Sequence, residues 1–365
     1  MRRMPRWDWD LLCRVIDNHG DLGVCWRLAR DLVARGHHVR LWLDDERALR
    51  WMAPDGPPPG LQVLPWPTGE HLPALFDGSP GDVVVEAFGC DPPPALKDRI
   101  AQAAAAGRAP VWINLEYLSA EAYVERSHRL RSPQRLADDL WLDKWFFYPG
   151  FTAATGGLLR EPGLDAEQAR FDAATWLAAH GIAPRPDERL VSLFCYENPQ
   201  LQPLLTRLAE QPTLLLTAPG PATEGCDGLV LPANLRWQPL PWLSQPEYDR
   251  LLWAGDLNLV RGEDSFVRAQ WAGRPFLWQI YPQDDGVHAG KLAAFLDQHL
   301  AAAPEALATQ VRQAMWAWNG LAPAGPFPAL PTLPDWQAGV LHWRAHLFGQ
   351  PPLVEQLLDF VAGKR

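Results

Sequence analysis

At 365 residues the chain is too long for one small core and suits two α/β domains. It is 47% hydrophobic and 21% charged, as globular proteins in water are, and its net charge of −10 argues against a broad basic surface for nucleic acid. The five cysteines form no C-x-x-C pair and are odd in number, which argues against structural zinc and against a disulfide framework.

The apolar run Leu11–Ile16 predicts a first strand, and a turn follows at Asp17–Gly20. Helical spacing then runs from Val24 to Ala34 and ends at Gly36. Val39–Leu43 is the next strand, which completes a βαβ unit and implies a parallel sheet. Leu61–Leu64, Val83–Glu86 and Val111–Leu115 continue the strand series, with an alanine-rich helix over Ala95–Ala106. Phe146–Gly157 leads out of this half, and a helix over Asp165–His180 begins the next. Leu190–Phe194, Leu214–Thr217, Leu235–Trp237, Leu257–Val260 and Pro275–Trp278 read as a second strand series. Asn319–Asp335 reads as an exposed crossover and Trp336–Ala362 as a final helical stretch. The expected organisation is a Rossmann-like domain over 1–160 and a second over 161–335, with the helix of about 336–365 packing back on the first.

Two turns stand out because ligands of open α/β sheets bind beyond the carboxyl ends of strands. The first holds Asp17, Asn18, Gly20, Asp21 and Gly23. Its glycines permit close backbone approach, and its two aspartates, four residues apart, concentrate negative charge. An ordinary helix cap accounts for one aspartate but not for both. The second turn is Arg261-Gly262-Glu263-Asp264-Ser265, ahead of a helix over Phe266–Ala272. Backbone N–H groups at that helix start, with a serine hydroxyl and an arginine beside them, suit a diphosphate, although Asp264 or Ser265 also fits as a plain cap. The pattern is that of group transfer from a phosphate-bearing donor to an acceptor. No Asp-x-Asp metal motif is present, since Asp284 and Asp285 are adjacent, so phosphate binding without a metal is expected.

The segments WDLLCRVIDNHGDLGVCWRLARDL, LWLDD, INLEYLSAE, RGEDSFVRAQWAGRPFLWQIYPQDDGVH and HLFGQP together resemble the EarP family. These are protein-arginine rhamnosyltransferases of bacteria that act on translation elongation factor P. The resemblance implies a GT-B glycosyltransferase: two Rossmann-like domains facing across a cleft. It implies dTDP-β-L-rhamnose as donor, one arginine of elongation factor P as acceptor, inversion at the anomeric carbon, and a product that helps ribosomes stalled at polyproline. It implies no metal and no other cofactor.

Carried over by residue, Asp17 and Asp21 match the family's essential aspartates and Glu263 its glutamate. Asp21 is then the general base, Asp17 the orienter and Glu263 a donor-side positioning group, with the two aspartates exchangeable. Arg261, Asp264 and Ser265 match diphosphate contacts. Asn18, Gly20, Phe194, Tyr196, Gln245, Tyr248 and Tyr281 match positions around the nucleotide sugar. His19 stands where an aromatic residue is more usual. A GT-B enzyme with a small-molecule acceptor, or a non-catalytic nucleotide-sugar-binding protein, are the competing readings. The opening MRRMPRWDWD lacks the apolar stretch of a signal peptide, and no run is apolar enough for a bilayer span, so the cytoplasm is expected and neither membrane nor nucleic acid is a partner.

Overall fold

The computed structural model describes residues 5–16, 19–67, 76, 78–137, 139–282, 286–323 and 325–365. The chain divides into two units, residues 1–162 with 350–365, and residues 163–349.

The first unit carries β1 (Asp8–Cys13), β2 (His38–Leu43), β3 (Leu61–Pro65), β4 (Val83–Ala87), β5 (Val111–Leu115), β6 (Arg131–Ala137) and β7 (Leu140–Phe147). They form one seven-stranded sheet in the order β3-β2-β1-β4-β5-β7-β6. Every neighbouring pair is parallel except β6 and β7. That edge hairpin has no counterpart in the sequence reading. β6 (RSPQRLA) alternates only between exposed and half-buried positions, so it lacks the apolar face that marks a strand.

β1 starts at Asp8 rather than Leu11, and ends at Cys13 rather than Ile16. The physical reason is Asp10, which is fully buried inside the strand. Its carboxylate accepts hydrogen bonds from Arg40 Nε at 2.7 Å, Trp42 Nε1 at 2.9 Å and the Gly81 amide at 2.7 Å. Partners 30 and more residues away make a buried aspartate tolerable, and a local reading has no access to them.

The second unit carries β8 (Arg189–Leu193), β9 (Thr213–Thr217), β10 (Leu235–Pro239), β11 (Leu257–Arg261) and β12 (Phe276–Gln279). All pairs are parallel, in the order β10-β9-β8-β11-β12. The parallel part of each sheet therefore reverses its direction of growth at one point, between β1 and β4 in the first unit and between β8 and β11 in the second. The gap beyond the strand ends at such a point is where these folds receive ligands.

Two expected helices are each divided. Asp165–His180 is Leu164–Ala169 followed by Ala173–Ala179, because Asp172 caps the second helix by accepting from the amides of Ala174 and Thr175. The final stretch is Leu333–Phe348 followed by Leu353–Ala362, broken at Gly349-Gln350-Pro351-Pro352. Only the second of these belongs to the first unit. Its Leu353, Val354, Leu357, Leu358 and Val361 are buried in one cluster with Trp26, Leu28 and Leu32 of the helix Gly20–Ala34. The Leu353 amide donates to Leu158 O at 2.9 Å, and Gly157 approaches Pro351 so closely that a Cβ would lie 2.5 Å from its carbonyl oxygen. Among the described residues no helix is long and apolar enough to cross a membrane.

Candidate active site

In the first unit the helix after β1 begins at Gly20, four residues earlier than its apolar spacing predicts. Asp21 thus lies in the first helical turn, 3% exposed, instead of in the loop. Its Oδ2 accepts from the Ile16 amide at 2.8 Å, which closes the turn and aims a carboxylate at the helix's positive end. His19 precedes the helix and meets Trp51 edge-on, with ring centroids 5.1 Å apart. A cavity of about 390 Å³ opens here, lined by Val15, Ile16, His19, Asp45, Arg47 and Trp51 among others. Hydrogen bonds from Arg47 hold the Asp45 carboxyl at about 2, below the usual carboxylate range. Asp17 and Asn18 lie outside the described residues, as do Asp284 and Asp285.

β4 ends beside β1 on the side away from β2, across the reversal point of the sheet. Phe88, the next residue, has φ 58°, a left-handed backbone that a bulky residue adopts at a cost of roughly 1–3 kcal/mol. Its ring stacks on Tyr117, which follows β5, at 4.4 Å and 17° between planes. Neither residue was a site candidate on its own. A positive φ at phenylalanine leaves no mark in sequence, whereas Tyr117 lay in plain view within INLEYLSAE.

In the second unit, Arg261 ends β11, Gly262 turns at φ 62°, and the helix Asp264–Ala272 starts after Glu263. The positive φ makes glycine the natural residue at this corner. Two residues of β12 secure it: Trp278 Nε1 donates to Gly262 O at 2.8 Å, and the Gly262 amide donates to Gln279 O at 3.2 Å. Phe266 stacks on Trp278 at 3.8 Å, which ties the new helix to the same strand.

Arg261 is 7% exposed. Its guanidinium lies over Phe194 at 4.3 Å and over Tyr196 at 4.4 Å, and Nη1 donates to Cys195 O at 3.4 Å. Phe194 and Tyr196 follow β8, so the cation occupies the gap where the sheet reverses. Tyr196 is fixed from behind by its amide's bond to Gln279 Oε1 at 2.9 Å and meets Tyr281 edge-on at 5.5 Å. Phe194 meets Tyr248 edge-on at 5.8 Å. Gln245 Nε2 donates to Asp264 Oδ2 at 3.3 Å.

The structure therefore gathers Phe194, Tyr196, Gln245, Tyr248, Arg261, Asp264, Ser265 and Tyr281 around one turn, with Glu263 at the head of its helix. Ser265 has an occupation the sequence did not suggest. Its hydroxyl donates to Arg261 O and accepts from the Arg261 amide at 3.1 Å, so it locks the turn from within. Burial pushes the Tyr248 phenol well above its ordinary pKa. Behind the site Arg268 and Asp249 form a buried ion pair at 2.8 Å. Among the described residues no group of three His, Cys, Asp or Glu side chains is placed to hold a metal ion.

Residues 9–362 match the family described as Elongation-Factor P (EF-P) rhamnosyltransferase EarP. A protein-arginine rhamnosyltransferase of Pseudomonas aeruginosa is 42% identical, over 97% of this chain and 98% of its own. One from Neisseria meningitidis serogroup B is 36% identical, over 96% of each chain. Among solved structures, one described as the basis for EarP-mediated arginine glycosylation of translation elongation factor EF-P superposes with a TM-score of 0.65 at 30% identity, over 99% of this chain and 100% of its own. A UDP-glucosyltransferase from Polygonum tinctorium superposes with a TM-score of 0.53 at 12% identity, over 99% of this chain and 98% of its own. That likeness shows the GT-B fold alone.

Proposed function

This chain belongs to the EarP family, and from that premise we propose that it transfers L-rhamnose from dTDP-β-L-rhamnose to an arginine side chain of elongation factor P, with inversion at the anomeric carbon. The observation that carries the reading is the pairing of unlike chemistry at the two reversal points. The first unit presents a buried carboxylate, Asp21, and the second a buried cation, Arg261. A guanidinium acceptor belongs with the first and a diphosphate leaving group with the second.

The acceptor is a poor nucleophile. An arginine titrates above ~12 and an ordinary aspartate near ~4, so full proton transfer before attack would be uphill by roughly 11 kcal/mol. Asp21 is accordingly assigned to accept the proton late, as the C–N bond forms, which removes most of that cost. Asp17 grips the same guanidinium and orients one nitrogen toward the anomeric carbon. Asn18 and Gly20 belong to the same turn and complete its approach to the donor sugar.

On the donor side Arg261 is a fixed positive charge, positioned by Phe194 and Tyr196 before substrate arrives. Such a charge stabilises the departing diphosphate without reorganisation at the moment of reaction, and the helix N-terminus after Glu263 adds to it. Glu263 and Asp264 position the sugar and its diphosphate, Ser265 holds the turn, and Gln245, Tyr248 and Tyr281 border the nucleotide. Neither metal nor other cofactor has a role in this scheme.

Intact mass after incubation with dTDP-rhamnose and purified elongation factor P tests the proposal. A gain of one deoxyhexose on the factor is expected. No gain while the donor still binds would indicate a non-catalytic nucleotide-sugar protein. Hydrolysis of the donor without protein modification would indicate a different acceptor.

A further inference from the structure

Beyond the carboxylates, the first unit has a strained residue at its reversal point. Phe88 sits at the carboxyl end of β4, across the reversal point from β1, in the left-handed conformation. It is buried in the same cluster as Leu22, the neighbour of Asp21 in the chain. Its outward partner Tyr117 is 38% exposed.

The strained turn is held from several directions. The Phe88 amide donates to Leu115 O at 2.7 Å and the Cys90 amide to Ala87 O at 3.2 Å. The Gly89 amide donates to Asn114 Oδ1 at 3.2 Å, and Asn114 Nδ2 donates in turn to Glu116 Oε1 at 2.8 Å. Strain persists at a bulky residue only where its surroundings over-determine it, and it concentrates at functional sites. Here the strain accompanies one aromatic ring laid flat against another just beyond the carboxyl ends of β4 and β5.

We propose that Tyr117, backed by Phe88, is the platform on which the acceptor's guanidinium stacks, so that this aromatic pair helps select arginine as the group presented to Asp21. The inference rests on the arginine-acceptor reading and extends it to a specificity-determining residue. A guanidinium is planar and weakly hydrated, so it lies flat on a ring face with more contact and less desolvation cost than a compact, strongly hydrated ammonium, which meets the ring only as a point charge. A carboxylate alone attracts any cation; a flat π surface prefers a flat one. Stacking also restricts the guanidinium to one plane, which aims a nitrogen rather than an edge of the group.

Steady-state kinetics of the full-length chain test this, with elongation factor P varied at saturating dTDP-rhamnose, for wild type, Tyr117→Phe, Tyr117→Leu and Tyr117→Ala. The phenylalanine variant keeps the ring and is expected within about twofold of wild type. The leucine and alanine variants are expected to raise the acceptor KM roughly 5–30-fold, with donor Kd unchanged. Leucine keeps apolar cover without a π face, so it separates stacking from packing, and melting temperatures of all variants report folding. A leucine variant equal to the phenylalanine variant would overturn the platform, as would a loss of donor affinity that matches the loss of activity. Absence of transfer by wild type would remove the acceptor reading itself, and the platform with it.

Discussion

The two ligand-facing turns occupy the same place in their respective sheets and are stabilised in opposite ways. After β1, a helix begins with an aspartate whose carboxylate reaches back to the Ile16 amide. After β11, an arginine side chain lies between two aromatic rings, and a serine hydroxyl and an indole N–H close the turn beneath it. One fold position thus carries an acidic side chain in the first unit and a basic one in the second, Asp21 and Arg261. The helix N-terminus is common to both turns, so its positive end cannot be what distinguishes them.

Removing the charge on the first side should have the largest effect. Asp21→Asn is nearly isosteric, and transfer is expected to fall by ~10²–10⁴-fold with dTDP-rhamnose binding within a few fold of wild type. Calorimetry with the donor analogue dTDP checks the second half of this statement. A large loss of dTDP affinity would place Asp21 on the donor side and erase the contrast between the turns.

The second side should respond less. Arg261→Lys keeps the charge but loses the planar group that fits between Phe194 and Tyr196. We expect a fall of roughly tenfold to a hundredfold in kcat/KM for the donor. EDTA should leave both wild type and variant unchanged. Inhibition by EDTA that magnesium reverses would show that a divalent cation shares the leaving-group charge with Arg261.

The smallest effect concerns how firmly the second unit holds its site. His299 is buried against Phe295 at 5.1 Å and Phe276 at 5.4 Å, and burial lowers its pKa to about 3. The unfolded chain binds that proton below ~6.5 and the folded unit does not until about 3, so stability is full above ~6.5 and declines as pH falls through this window. At pH 5 the loss is ~2 kcal/mol. His299→Phe should narrow the difference in denaturation midpoint between pH 7 and pH 5. An unchanged difference would mean that carboxylates alone carry the acid sensitivity of this unit.

Several elements were legible because their determinants are local. The strands Val111–Leu115 and Leu257–Val260 are apolar runs between turn residues, and the structure places them almost as read. Glycine after Arg261 announced a corner, and the φ of 62° is that corner. Arg261, Asp264 and Ser265 stand out from the strand-turn-helix pattern, whereas Phe194, Tyr196, Gln245, Tyr248 and Tyr281 follow only from the family resemblance, and the structure brings both sets to one turn. Other features had no local sign. The strand start at Asp8 depends on Arg40 and Trp42, and the break before Leu353 returns the chain to Leu158.

Residue type and order by themselves determined the alternation of strand and helix, the two turns, and the charge each turn carries, because these follow from apolar periodicity and backbone freedom within a few residues. Only the tertiary structure decided that Arg261 lies between Phe194 and Tyr196, that Ser265 turns inward, and that Phe88 adopts a left-handed backbone against Tyr117. Each of those outcomes balances a local cost, of burial, of a hydroxyl withdrawn from solvent or of strain, against contacts from distant strands. Such a balance exists only once the sheet has brought those strands together.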